Sequence, residues 1–479
     1  MQSYSPSRRT ALVLTGTGAH GAYHAGVLRA LQEAGVKIDV VAGHGVGAGS
    51  AALAAIDGAA RLWDPQGIWR GARVPQLYTW RWPLRVAAWL ALLLAAILLT
   101  PLVVLLLGLL VYLVGFLFEM LQLEAGRALV SGYSAWLQTL FAGESLPTSV
   151  PRLAVVALTA IAFTLAIGSV LAARTIGSRR AEHGWWWRVV AAPFEARVAC
   201  DRFVDAIWEL IRGAAPLARP SVAALGRRYA EVLSENLSQP GFRELVVVTT
   251  DLDARRDVVA TLLAEPYRQA FLAPRPGRDR RSEVLDLAGV SRDHVIDVIC
   301  ACLTPSTLCD PHLMTFAPDS FWRGETHRLC DRAGSLERLL EEVAEASATQ
   351  VIIVTAVAAT AAPHRLKAPR LDLAGRCGEF QTAAESCALR DALEAVGSRF
   401  DSVYVIQPTH NAIGPFDLSG AYDEASARRQ DLSELMERAY EDAYRQFIEP
   451  MIGASGEQLA HAVIGVRESA GGAENFPTR

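Results

Sequence analysis

The sequence predicts an α/β domain with a parallel sheet, interrupted by a transmembrane helical hairpin. Three observations carry this. Residues 11–56 run twice through apolar strand, glycine-rich turn and helix, the opening of a parallel α/β sheet. Two stretches, 86–118 and 153–173, contain no charged residue. Beyond them the strand and helix pattern resumes, at 245–249 (LVVVT), 335–347, 351–357, 403–407 and 430–448.

The first strand is 11–16 (ALVLTG), followed by GTGAHGAY and an amphipathic helix that ends near Gly35. The second is 38–42, followed by Gly43-His44-Gly45-Val46-Gly47 and a small-residue helix to about Ile56. The last helix, 430–448, carries Leu432, Leu435, Met436, Ala439, Ala443 and Phe447 on one stripe. One sheet built from both halves of the chain requires an even number of membrane crossings between them. The expected division is therefore 1–80 and 191–452 for the two parts of the α/β domain, 81–190 for the hairpin and 453–479 for a tail.

As one helix, 86–118 is about 50 Å long and 153–173 about 30 Å, against a hydrocarbon core of about 30 Å. Pro101 and Gly108 interrupt the first, so a tilt, a kink or a re-entrant turn is expected there. The outer flanks carry Arg73, Arg81, Arg85, Arg174, Arg179, Arg180 and Arg188; the connecting loop has Arg127 and Arg152 with Glu119, Glu124 and Glu144. The positive-inside rule then places both flanks in the cytoplasm and the loop, about 119–152, outside, making a multi-pass protein of the inner membrane. Trp80, Trp82 and Trp89 at one flank and Trp185, Trp186 and Trp187 at the other suit an interfacial belt.

Composition agrees. Of 479 residues 51% are hydrophobic and 20% charged, too apolar for a disordered chain. The net charge is −4 and lysine occurs only at Lys37 and Lys367, so no general basic field recruits nucleic acid. Cys200, Cys300, Cys302, Cys309, Cys330, Cys377 and Cys387 are odd in number and form no C-x-x-C pair, which argues against a zinc site or a disulfide framework and for a reduced compartment. Arg8-Arg9 lead into a strand, not into a signal peptide. His20 and His24 stand one turn apart with no third partner evident, so no metal and no cofactor are expected.

Gly16-Thr17-Gly18-Ala19-His20-Gly21 after the first strand fits an anion-cradling loop at a helix start. A dinucleotide loop needs an acid about twenty residues on, and Asp39 roughly serves. The second turn, Gly43 to Gly47, argues for something else. It has the glycine frame of a nucleophile elbow, G-x-S-x-G, with Gly45 where the nucleophile belongs.

LVLTGTGAHGAYHAGVLRALQEAG followed by VVAGHGVGAGSAALAA resembles the opening of the patatin-like phospholipase family. VVVTTDLDARRDVV (246–259), ICACLTPSTL (299–308) and NAIGPFDLSGAYDE (411–424) resemble it too. The resemblance covers roughly 11–80 and 190–450. It implies a patatin-like three-layer domain and a lipid acyl hydrolase with a Ser–Asp dyad. It implies an oxyanion loop at Gly16, Gly18, Ala19, His20 and Gly21, with His20 where an arginine is usual. It also implies a base in an Asp-Gly-Gly/Ala motif, whose best counterpart is Asp331-Arg332-Ala333-Gly334; Asp417 and Asp423 are alternatives. Shifting the elbow frame puts Gly47 in the middle, so no register supplies a serine, and Ser50 lies beyond the turn. A pseudo-hydrolase is expected, binding a phospholipid, an acyl group or a protein partner at the cytoplasmic membrane face. An active hydrolase with another nucleophile, or water activated by His44, and a scaffold with an empty cleft are the competing readings. A serine at position 45 restores turnover only if Asp331 is within reach and is not held by Arg332. The loop 273–281 (APRPGRDRR) offers four arginines to solvent or to anionic headgroups.

Overall fold

The structure is a computed structural model and describes residues 4–175, 192–273, 280, 282–306, 308–318, 320–358 and 370–453. The chain divides into two compact units, Met1–Thr79 with Glu195–Arg479, and Trp80–Phe194.

The larger unit is built on a nine-stranded sheet. Its first four elements are β1 (Thr10–Thr15), α1 (His20–Glu33), β2 (Val40–Gly43) and α2 (Val46–Ala55). Across the sheet the order is Ser402–Ile406, Gln350–Thr355, β1, β2, Glu244–Asp251, Arg256–Leu262, Ser282–Asp286. Every neighbouring pair along this row is parallel except the hairpin Glu244–Asp251/Arg256–Leu262. A further strand, Thr326–Cys330, pairs antiparallel with the end of Glu244–Asp251 and with His312–Thr315. The expected parallel sheet is thus present, with antiparallel additions at one side.

β1 lies between two parallel partners and is buried along its whole length, which is why it reads as an uninterrupted apolar run. Ala11 and Val13 face helices Ser335–Glu345 and Leu373–Val396, packing with Leu336, Leu339, Leu389 and Val396. On the other face Gly47 of α2 lies so close to Leu14 that a Cβ would meet its carbonyl oxygen at 2.0 Å. α1 packs on helix Leu432–Ala443, with Tyr23 donating to Asp442 at 3.0 Å. The predicted stripe from Leu432 to Phe447 is buried, although the helix widens into a π-helical stretch, Tyr444–Gly453, after its first three turns.

Among the described residues of the smaller unit there are three helices, α3 (Trp82–Met120), α4 (Ala125–Leu140) and α5 (Leu146–Thr175). α3 and α5 are long and apolar enough to cross a membrane. Only 6% and 17% of their most apolar segments are buried within the protein. At 39 residues α3 is about 58 Å long and runs through Pro101 without a break. The segment between the two, expected as a loop, contains α4. This helix packs on α3 through small residues: Gly115 faces Val130 and Gly126, and Gly108 seats Tyr133, whose hydroxyl donates to the Val104 carbonyl at 2.5 Å. Close approach and an internally satisfied hydroxyl are what helix pairs use where apolar contacts alone give little preference. Trp185 to Trp187 and the tail from 454 lie outside the described residues. Of the four arginines in 273–281 only Arg280 is described; it pairs with Glu342.

Candidate functional site

The turn between β2 and α2 brings the predicted residues to one point. Gly45 has φ 58° and ψ −139°, a conformation that strains any residue with a Cβ. The loop after β1 lies directly on it. The Gly16 carbonyl accepts the Val46 N–H at 2.8 Å. A Cβ on Gly45 would stand 2.2 Å from that oxygen and 3.0 Å from Asp331 Oδ2. The 16–21 loop and the elbow are therefore in direct backbone contact at this point.

Three amides of the glycine loop are engaged within the chain as well. The Ala19 N–H donates to the Pro415 carbonyl at 2.7 Å, the His20 N–H to Thr17 at 3.2 Å and the Gly21 N–H to Gly18 at 3.1 Å. Gly18 has φ 56°, and a Cβ there would meet Pro415 O at 2.1 Å, so the segment around Pro415 is seated on this loop by backbone contact that only glycine permits.

Asp331 follows strand Thr326–Cys330 and is anchored by its N–H to the Thr304 carbonyl at 3.0 Å. It is buried, and both carboxylate oxygens are occupied. Oδ1 lies 3.3 Å from His44 Nδ1, and Oδ2 3.3 Å from the Thr17 hydroxyl. His44 Nε2 is 2.6 Å from the Thr15 hydroxyl. Opposite an acceptor-only carboxylate, Nδ1 is the donor. Arg332, expected as a possible partner of Asp331, instead reaches Asp257 with Nη2 at 2.9 and 3.1 Å.

Two side chains that sequence reasoning missed complete the cluster. Glu385 and Gln381 project from helix Leu373–Val396. Glu385 Oε2 is 3.1 Å from His20 Nδ1, and Oε1 accepts from the Thr17 hydroxyl at 2.9 Å; Gln381 Nε2 donates to the same hydroxyl oxygen at 3.1 Å. Burial raises the Glu385 pKa, but His20, His44 and Thr17 outweigh it and hold the carboxyl below its ordinary value. Beside them His24 Nε2 contacts the Thr15 carbonyl at 3.0 Å. Burial pushes the His24 pKa down to about 4 against the partial support of that carbonyl, so it stays neutral near pH 7.

The remaining candidates sit elsewhere. Asp417 is bound by Arg370 at 2.7 and 3.2 Å, and Asp423 by His410 at 2.9 Å. Asp39 accepts the Thr10 N–H at 2.9 Å, at the start of β1 and so at the opposite end of the strand from the glycine loop, where no dinucleotide ribose could meet it. Ser50 is buried on α2 and its hydroxyl has no partner. Among the described residues no three His, Cys, Asp or Glu side chains come together as a metal site.

A parallel sheet, a glycine loop after its first strand and a sharp strand–turn–helix after its second, with an aspartate brought to the turn, define an α/β acyl-hydrolase architecture. The patatin-like phospholipase family model matches residues 12–304, and the chain belongs to that family. Asp331 lies beyond the matched segment, so its assignment rests on its contact with the elbow. Among solved structures the chain is similar to VipD from Legionella pneumophila, at 14% identity over 93% of this chain and 67% of that one, with a TM-score of 0.30. No curated protein matches in sequence.

Proposed function

We propose that this protein is a membrane-anchored, catalytically impaired member of its family that binds a lipid, an acyl group or a protein partner at the cytoplasmic membrane face. The observation that carries this reading is the Gly45–Gly16 contact. Acyl transfer needs an oxygen nucleophile, a base for its proton and free N–H donors for the oxyanion. Position 45 has no side chain and no room for one. The aspartate that would serve as base spends its oxygens on His44 and Thr17. The Val46 amide at the elbow and the Ala19 amide in the glycine loop bind the chain's own carbonyls. Loss of a catalytic serine alone costs on the order of 10⁶ in rate in a serine protease. Anchoring rests on α3 and α5, and orientation on the arginine-rich flanks.

The test is hydrolysis of phospholipid and short acyl esters by the detergent-purified full chain, together with a fluorophosphonate acyl-trapping probe. The expected rate equals that of Asp331→Ala, with no labelling. Turnover that disappears in Asp331→Ala, or stoichiometric labelling of one residue, overturns the reading.

A further inference from the structure

At the tip of the hairpin Glu244–Asp251/Arg256–Leu262 there is an open cavity of about 370 Å³, lined by Thr250, Asp251, Leu252, Arg255, Arg256, Asp257 and Arg332. That volume falls in the range of small-molecule sites, roughly 300–1,000 Å³. It is separate from the Gly45 corner in its chemistry, since no residue of the buried cluster lines it.

The charges around it are unevenly partnered. Each aspartate of the hairpin is already paired with an arginine or a histidine. Asp251 holds His327 Nδ1 at 2.5 Å and also accepts the Asp253 and Ala254 N–H groups at 2.8 and 3.0 Å. Asp253 is clasped by Arg328 at 2.6 and 3.1 Å. Asp257 takes Arg332 and the Thr250 hydroxyl, the latter at 2.9 Å. Arg255 and Arg256 remain. Both are exposed, both line the cavity, and among the described residues neither has an ion pair or a side-chain hydrogen bond. Glu283 on the adjoining strand feels the charge of Arg256 but makes no ion pair with it. Arg255 is held at φ 56°, in the left-handed region, at the turn between the two strands. A cation is not the natural occupant, because the carboxylates are spent; an anion is.

We propose that this cavity is a binding site for a phosphate group, read by the guanidinium forks of Arg255 and Arg256, with the half-exposed Arg332 also in its lining. Guanidinium matches the tetrahedral oxygens of phosphate with paired N–H donors, which a lysine cannot do. The phosphate belongs either to a lipid headgroup or to a soluble phosphate ester. The inference stands whether or not the elbow is catalytically dead.

The test uses the full chain in detergent, titrated calorimetrically with inorganic phosphate, glycerol 3-phosphate and dihexanoyl phosphatidic acid. Saturable binding of at least one is expected at or below about 1 mM, weakened more than tenfold in Arg255→Ala/Arg256→Ala and unchanged in Arg197→Ala, which removes an exposed arginine from another helix. Binding of the short-chain lipid alone assigns a headgroup; equal binding of all three assigns a free phosphate ester. No saturation with any of them, or equal binding by the double variant, overturns the proposal. Both arginines are exposed and alanine tolerates the Arg255 backbone no worse than arginine, so folding does not confound the result.

Discussion

The carbonyl oxygen of Gly16 accepts the N–H of Val46 at 2.8 Å, a backbone bond that runs from the glycine loop directly to the elbow. It uses the amide at the head of α2 and fills the space that a side chain on residue 45 would need. The contact makes position 45 depend on the loop as much as on its own chemistry.

Replacing Gly45 therefore disturbs the fold before it adds a nucleophile. Both conditions for rescue by serine are met: Asp331 is adjacent, and Arg332 is engaged with Asp257. The Gly16 oxygen is the remaining obstacle. Gly45→Ala is expected to cost about 2–4 kcal/mol, from positive-φ strain together with overpacking. Gly45→Ser should be destabilised to a similar extent and remain inactive in ester hydrolysis. Thermal melting and a turnover assay on the two variants check this; a serine variant that melts like the parent shows that the loop yields easily.

The segment around Pro415 is held on the glycine loop by a second device, the bidentate Arg370–Asp417 pair. Asp417→Asn leaves an acceptor for the Gly414 N–H, now at 3.0 Å, but removes the charge. Because Arg370 is partly exposed, the loss is set at about 1 kcal/mol, roughly a fivefold rise in local opening. Hydrogen exchange should quicken in 411–420 and at Ala19 together. Acceleration of one without the other would separate the two segments.

Much of this was legible in the sequence, and the reasons for the rest are physical. β1, β2 and the two glycine turns are local in sequence and obey strict apolar and glycine patterns, so they could be read directly. Asp331 could be found because it stands in a short motif. Glu385 and Gln381 could not: a buried acid on a polar helix looks like any solvated residue until the fold brings His20 and Thr17 against it. The N-cap of that helix, Asp372 accepting the Gly375 N–H at 2.7 Å, was the available signal. α4 was hidden because its segment lies between two far more apolar runs and carries Gly126, Ser131, Gly132 and Ser134, residue types that weigh against a helix when read locally. The closure of the elbow is a matter of tenths of an ångström, beyond any pattern.

His24 gives the pH dependence a definite sign. Its pKa is about 4 in the folded protein and about 6.5 when unfolded. Between these values the unfolded chain binds more protons, so stability rises with pH. The contribution is complete above about pH 6.5 and is lost as pH falls toward 4, about 3 kcal/mol in all. Melting temperatures of the parent and of His24→Gln across pH 4–7 should converge toward acid. Parallel curves would assign the acid sensitivity to other groups.

Topology is tested with reporters. Fusions at Glu144 and at the C-terminus should give opposite signals, external for the first and cytoplasmic for the second. Identical signals would remove the two-span hairpin.

The central position of β1 and β2 has a consequence for how the protein is made. Their outer partners are Gln350–Thr355 on one side and Glu244–Asp251 on the other, so both edges of the first apolar ribbon stay bare while the chain between is synthesised. At ribosomal rates of about 5–20 residues per second, the wait for the nearer partner is tens of seconds. In that interval α3 and α5 emerge. A nascent chain with two unpaired strands is open to edge-to-edge aggregation until those partners arrive, so this connectivity puts the burden of order on the first fifty residues.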